Sequence, residues 1–591
     1  MLQFPFDCDY IMKNKRAIKK ELLKKENLLE KRVALLSGTT VGEIKNILEI
    51  FLLNEGIKPT FYVGDYGRFY EDVVFDDGAL RDFKPDVIFL NTSIHNISNM
   101  PAAGEPAEIC EAKLQGELKR FFAVWGASDK FSCAVIANNF EYPRIRVMGN
   151  YEATSPSGKV RFVRRLNEEM AKYAESHKNF YINDFNYISS WCGLDSFSDP
   201  SYYNSYKYAI NPDAIPYLCH SVASIVKSLF GKNKKALMLD LDNTLWSGVI
   251  GDDGVEGIVL GTESPVGIAH SELQKYAKEL SGVGVILGVC SKNEDDVAKS
   301  GFTHPSSVLK VDDFLSFKAN WEPKPLNLQA SAKQLNIGVD AIVFADDNPA
   351  EREIVRQAGL GVTVPELTAA ERFAETISNG NYFEVTSLSA DDLKRAEMYK
   401  QNALREAEET NYADYGEYLK SLNMKGFFGS FSEGQLERIT ALANKTNQFN
   451  LTTRRYSAEE MKARATGKEY ITLYGRLEDK FGDNGIVAEI IGEAKGDSLD
   501  IELWIMSCRV FKRELEFAMF DTLVSLAREK GIKTITGNYY KTAKNAIVAE
   551  YYGSLGFIKT EQNSDYSRWT YTIPENYENK NHSIEVRYEQ N

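Results

Sequence analysis

The chain has 591 residues, 43% of them hydrophobic and 26% charged, with a formal net charge of −14. That length implies several domains of ordinary globular composition, and the acidic balance disfavours nucleic acid as a general partner. No apolar run reaches membrane-spanning length and residues 1–32 lack a secretory apolar core, so the expected setting is cytoplasmic, with no membrane. Seven scattered cysteines show neither paired spacing nor a zinc pattern with the six histidines. A reduced compartment is expected, where a useful cysteine acts as a thiol.

In chain order, residues 13–32 alternate Lys with Leu and Glu and read as a solvated amphipathic helix. Apolar runs at 33–36, 87–90 and 133–136 lead into Ser37-Gly-Thr-Thr40, Asn91-Thr-Ser93 and Ala137-Asn-Asn139. With a helical pattern at 43–53, this alternation predicts a doubly wound parallel sheet for residues 1–230. The layout is similar to the SGNH hydrolase fold, a flavodoxin-like sheet with a serine after the first strand and a late Asp-x-x-His pair. Ser37 and Thr40 are the nearby hydroxyls, but Asp199-Pro-Ser-Tyr202 lacks the histidine, and His220 falls deep in the following helical pattern. A catalytically degenerate scaffold or docking domain is expected rather than an esterase triad.

Residues 231–385 carry the densest chemistry. The apolar run Ala236 to Leu239 ends in Asp240 and Asp242. Buried parallel strands place their chemistry at that end, and two carboxylates so spaced can be aimed at one hard cation. Asp-x-Asp alone is equally compatible with a polar strand end capping a turn. A second run from Val285 ends in Cys290-Ser-Lys-Asn293, where Ser291 can hold a phosphate oxygen. Lys324 precedes a helical pattern at 326–335 and can neutralise phosphate, and a third run, 341–345, ends in Asp346 and Asp347.

Asp-x-Asp, Ser, Lys and Asp-Asp in that order resemble the four motifs of the haloacid dehalogenase (HAD) phosphatase superfamily. The resemblance implies that Asp240 attacks phosphorus and Asp242 acts as general acid and base. It further implies phosphate contacts from Thr244, Ser291, Lys292, Asn293 and Lys324, and Mg²⁺ held by Asp240, Asp242, Asp346 and Asp347. Between Trp246 and Ser291 there is room for a hairpin at 247–261 and a helix at 267–280, but for no large cap. An uncapped site is open to a macromolecular substrate.

Residues 386–430 read as a charged helical connector, with Arg395, Tyr399 and Arg405 on exposed or inter-domain faces. Residues 431–575 contain Lys445-Thr-Asn-Gln-Phe-Asn-Leu451, Phe481-Gly-Asp483 and Ser507-Cys-Arg-Val510, and residues 576–591 read as a tail. The run from Asn545 through Tyr552 to Gly556-Phe557 resembles the closing part of the GNAT acyltransferase fold. That resemblance implies an α+β domain with a thioester beside a splayed strand pair and its pyrophosphate at the next helix N-terminus. Lys512 stands where such a cradle has glycine, which disfavours acetyl-CoA and favours either a carrier-bound pantetheine or simple loss of acyl transfer. Lys445, Arg454 and Arg455 read either as solvated charge or as an anion site.

Across residues 240–557 these segments together resemble the FkbH family, giving an α/β multidomain expectation of SGNH-like, HAD-like and GNAT-like parts. The family resemblance implies a phosphorylated three-carbon donor of the bisphosphoglycerate type, loss of its phosphate, and loading of the glyceryl unit on the phosphopantetheine arm of an acyl carrier protein through Cys508. Cys508 ends a strand and is expected just before a helix at Lys512, beside Arg509 and Arg513, surroundings that lower a thiol pKa. A buried, inert thiol is the commoner fate of a free cysteine. A plain phosphatase in surface-polysaccharide or secondary-metabolite biosynthesis, with a C-terminal binding module, is the alternative, and a scaffold with a vestigial site the third reading.

Overall fold

The computed structural model describes residues 2–75, 78–388, 393, 395–446, 448–542 and 545–589, without the side chains of residues 128, 129, 395–397, 403, 406, 407 and 508. Contacts divide the chain into two units, one built on Phe6–Phe230 with Ser457–Glu459, the other on Gly231–Tyr456 and Glu460–Asn591.

In the first unit β1 (Leu29–Ser37) is buried on both faces from Val33 onward, as a central parallel strand must be. Alternation sends Val33 and Leu35 to one core and Ala34 and Leu36 to the other. The first core is closed by the helices Gly42–Asn54 and Ile215–Leu229, the second by Ala107–Trp125 and Lys159–Ser176. With β2 (Ile57–Val63), β3 (Val87–Asn91), β4 (Ala134–Asn138) and β5 (Phe180–Asn183), the parallel order is β2-β1-β3-β4-β5, the flavodoxin-like arrangement.

Polar residues close these strands in a ladder across the sheet. Asn91 Nδ2 donates to Ser37 Oγ, Asn138 Nδ2 to Asn91 Oδ1, and Asn183 Nδ2 to Asn138 Oδ1, while Ser221 Oγ donates to Asn183 Oδ1. The amides compensate one another where water is excluded. The Ser37 hydroxyl donates to the Asn91 carbonyl at 3.0 Å and bonds no histidine. His220 instead packs edge-on to Phe6, in the apolar core.

The second unit holds two sheets. The first is parallel, in the order β8-β7-β6-β9, from β6 (Ala236–Leu239), β7 (Ile286–Ser291), β8 (Ser316–Ala319) and β9 (Ile342–Ala345). Where a hairpin is expected at 247–261 the chain forms a short helical segment, Ile250–Gly257, broken at Gly254 (φ 66°, ψ −179°), with one bridge between Ser247 and Val259. Asp253, in its first turn, accepts the Val249 N–H at 2.7 Å. Gly248, at φ +99°, lies where a Cβ would come within 2.8 Å of that carboxylate, so the turn needs glycine.

The other sheet is mixed. Its strands are β10 (Met424–Gly429), β11 (Phe449–Asn450), β12 (Tyr470–Asp479), β13 (Gly482–Lys495), β14 (Ser498–Met506), β15 (Thr534–Tyr540), β16 (Ile558–Gln562), β17 (Tyr566–Thr572) and β18 (Ile584–Glu589), in the order β16-β17-β15-β14-β13-β12-β10-β18 with β11 on β14. The connector expected at 386–430 therefore ends before β10, and the tail expected at 576–591 contains β18, parallel to β10. Only Ile584 of β18 is buried, so backbone pairing rather than an apolar stripe holds it.

The helix Arg395–Glu409 bridges the two sheets. Tyr399 packs on the β6–β9 core, while Arg405 is buried and makes two 2.7 Å bonds to Asp479, which also pairs with Arg513. Arg405 is thus an internal anchor and not a solvated charge. Among the described residues no helix is long and apolar enough to cross a membrane.

Candidate active site

Register brings the motif residues together. Leu239 is level with Val289 of β7 and Ala345 of β9, so the residues that follow each strand emerge side by side. Lys324, the first residue of the helix Lys324–Gln334 and only 2% exposed, places Nζ 3.1 Å from Asp240 Oδ2 and 2.5 Å from Asp346 Oδ2. Asp347 accepts from Thr244 Oγ1, which takes the Asp347 N–H in return. Ser291 lies buried at the end of β7, and Asn293 Nδ2 donates to its hydroxyl oxygen.

Carboxylate oxygens of Asp240, Asp346 and Asp347 lie within 4.8 Å of one another. Asp240 Oδ1 is buried with no hydrogen-bond partner. Three carboxylates face one ammonium, which leaves an uncompensated negative site with an oxygen aimed at nothing. An all-oxygen donor set of this kind fits a hard divalent cation. Burial, with Asp346 adding and Lys324 opposing, pushes the Asp240 carboxyl up to about 6. Burial raises Asp346 and Asp347 as well. It works against the Lys324 ammonium, but Asp240 and Asp346 outweigh it and raise that pKa.

Asp242 is placed differently from the expectation that made it a metal ligand. The chain turns tightly after Leu241, whose carbonyl takes the Thr244 and Leu245 N–H groups. Asp242 Oδ1 accepts from Trp246 Nε1 at 3.0 Å and Ile250 N at 2.9 Å, and Oδ2 from Asn293 Nδ2 at 2.9 Å. Its side chain is not among the carboxylates of that cluster, and three donors fix its orientation. Lys292, expected at the phosphate, is tied to Glu351 at 2.6 Å.

Several supports went unread in the sequence. His270 Nδ1 bonds the Thr244 carbonyl and Gln274 Nε2 the Leu245 carbonyl, pinning the Asp-x-Asp turn to the helix Pro265–Gly282. The signal available was two polar residues four apart on the helix's buried face. Arg352, fixed by Glu366, donates to the carbonyls of Asp346 and Asp347 and so orients both.

In the third sheet the Cys508 side chain lies outside the described residues. Its backbone opens the single-turn 3₁₀ helix Cys508–Val510, and the α-helix expected at Lys512 begins only at Leu515, so Cys508 is not at the N-terminus of that α-helix. Lys512 and Glu514 have φ of 62° and 61°, so the turn keeps a glycine-like backbone without glycine. Pairing of β14 with β15 stops at Ile501 and Gly537. Residues 449–451 enter the gap beyond. Phe449 and Asn450 pair with Met506 and Ile505, the Leu451 N–H bonds Trp504 O, and the Tyr540 N–H bonds Leu451 O. The Phe449 ring packs 4.7 Å from that of Tyr551. The passage expected to receive a thioester is therefore filled by the chain's own strand. Arg455 is half-buried and donates to the carbonyls of Ala443 and Thr446, and the exposed Arg454 pairs with Glu502 at 2.8 Å, so both are engaged within the chain.

The family model "FkbH, N-terminal domain" matches residues 32–227. A crystal structure of the N-terminal part of the protein BF1531 from Bacteroides fragilis, containing a phosphatase domain complexed with Mg, is 30% identical, covering 63% of this chain and 99% of that one with a TM-score of 0.59. The chain belongs to the FkbH family. Two acetyltransferase structures also align with part of this FkbH chain. The ribosomal-protein-S18-alanine N-acetyltransferase from Escherichia coli is 16% identical over 27% of this chain and 99% of that one, TM-score 0.21. A PaiA N-acetyltransferase from Thermoplasma acidophilum in complex with coenzyme A is 11% identical over 25% and 99%, TM-score 0.21. Among curated proteins none matches.

The raised Asp240 carboxyl gives the FkbH site a definite pH dependence. Its folded-state value, about 6 against the ordinary 3.8, means that the metal-free protein keeps this proton between those values and loses stability as pH rises through the window. A divalent cation competes with that proton. Titration calorimetry with Mg²⁺ is expected to give weaker binding at pH 5 than at pH 7.5, with proton release at the lower pH.

Proposed function

We propose that this phosphatase of the FkbH type works through an aspartyl-phosphate on Asp240, with Mg²⁺ as its cofactor, and that its product is a glyceryl unit destined for an acyl carrier protein. The observation that carries the phosphatase part is the buried, unpartnered Asp240 Oδ1, flanked by Lys324 and by the carboxylates of Asp346 and Asp347. Those three carboxylates would hold Mg²⁺, which when bound offsets their charge and that of the phosphate. Asp240 attacks phosphorus while the bond to the leaving oxygen breaks, and Asp242 gives that oxygen its proton. Asp242, now ionised, takes a proton from water, whose oxygen displaces Asp240 and releases phosphate. Lys324 and Ser291 neutralise charge on the equatorial oxygens, and Trp246, Ile250 and Asn293 keep Asp242 oriented.

In the transfer part, the Cys508 thiolate attacks the acyl carbon of the donor's acyl phosphate, the carbon–oxygen bond breaks and inorganic phosphate leaves; the phosphopantetheine thiol then loses its proton and displaces Cys508 from the thioester, while the Asp240 site removes the remaining phosphate ester. A specific observation favours a second reading, a phosphatase whose C-terminal domain only binds, because residues 449–451 fill the gap between β14 and β15. Intact-mass spectrometry of a holo-carrier protein incubated with full chain, a bisphosphoglycerate-type donor and Mg²⁺ separates the two. The transferase reading predicts glyceryl loading that Cys508→Ala abolishes while phosphate release from a small ester continues. Loading that persists in Cys508→Ala removes the cysteine from the mechanism, and phosphate release without any loading by the wild type selects the second reading.

A further inference from the structure

We infer that residues 145–151, with the first turns of the helix Lys159–Ser176, form a docking surface for a small acidic protein, the carrier partner of the proposed function, on which reading this inference rests. The loop leaves the end of β4, at the strand edge where open α/β sheets bind their ligands. Ile145 is 77% exposed, Val147 67% and Tyr151 61%, an unusual display of apolar side chains within seven residues.

The loop is built rather than slack. Glu152 is buried, and its two oxygens accept the N–H groups of Val147 and Met148 on one side and of Lys159 and Val160 on the other. One carboxylate thus fastens the exposed loop to the helix start. Loop order lowers the entropic cost of binding.

Charge indicates what covers it. Arg146 bonds the Asn150 side chain, Arg161 the Thr154 carbonyl and Arg164 the Ala153 carbonyl, all on the turn that carries Tyr151. Arg146 and Arg164 are exposed and form no ion pair among the described residues. The buried Glu152 contributes no surface charge. On a chain of net charge −14 this is a cationic rim around apolar anchors. It fits an acidic partner that presents carboxylates beside apolar side chains, with Tyr151 and the arginines as the side chains that bear most of the affinity. Arg454 and Arg455, read from the sequence as solvated charge or an anion site, are engaged by Glu502 and by main-chain carbonyls.

The test is calorimetric binding of a holo-acyl carrier protein to the full chain, to R146E/R164E and to I145S/V147S, with phosphatase turnover of a small ester as control. Binding is expected to weaken about tenfold or more in each variant and to fall with added salt, turnover being unchanged. Equal binding by wild type and both variants overturns the surface while leaving carrier loading standing. Absence of binding to the wild type overturns both the surface and the carrier reading, as does preference of the wild type for anionic vesicles or nucleic acid over the carrier.

Discussion

Replacing Lys324 with Met is expected to destabilise the β6–β9 domain and nearly abolish turnover at once. The ammonium lies 3.1 Å from Asp240 and 2.5 Å from Asp346, with almost no exposure. Deleting one partner of a buried ion pair leaves its charge uncompensated, at a cost of about 3–5 kcal/mol. Here two carboxylates lose the same partner, so both retain protons to higher pH. Thermal unfolding without metal should show the transition of this domain lowered by roughly 6–15 °C. Mg²⁺ should recover part of that loss, because it supplies charge to the same carboxylates. It should not recover turnover, since the cation that met the equatorial phosphate oxygens is gone, worth on the order of 10²–10³ in rate. A variant as stable and active as wild type would show that Lys324 is not the charge balance of this site.

Asp240→Asn is expected to act on chemistry with little effect on stability. An amide oxygen is a poor nucleophile, and turnover of a generic phosphate ester should fall roughly 10³-fold or more, about 4 kcal/mol of barrier. The carboxylate is buried with one oxygen unpaired and its charge raised in cost by Asp346, so a neutral amide of the same shape relieves repulsion. The metal-free variant should therefore unfold at or above the wild-type temperature at pH 7.5. Lost activity with preserved or increased stability separates a nucleophile from a structural aspartate.

The sequence made the phosphatase site legible for a local reason. Three of the four motifs are buried strands with the functional residue at or just after the end, and parallel register brings Asp240 and Asp346 level with Ser291 one residue beyond, whereas Lys324 comes from the start of a helix. The supports were less legible, because His270, Gln274 and Arg352 act on backbone carbonyls that only packing selects. The Asp-x-Asp spacing points to Asp242, but the turn that faces it to Trp246 depends on hydrogen bonds to one carbonyl, Leu241 O. The asparagine ladder follows from register too. Each polar strand end was visible, whereas its bond to the next strand was not.

In the C-terminal domain short pairings defeated pattern reading. Phe449 and Asn450 are too few to show a period, yet they close the gap between β14 and β15. β18 has one buried residue in six and reads as a polar tail. The flap at 250–257 carries glycines and aspartates that suit a hairpin equally well. Its first turn is closed by the Asp253 carboxylate accepting the Val249 N–H, a contact that spacing does not show.

Acid-quenched peptide mass spectrometry after brief incubation with substrate and Mg²⁺ tests the central claim most directly. A phosphoryl group on the peptide carrying Asp240, absent without Mg²⁺ and absent in Asp240→Asn, is the predicted result. Phosphorylation elsewhere, or undiminished phosphate release by Asp240→Asn, would contradict it.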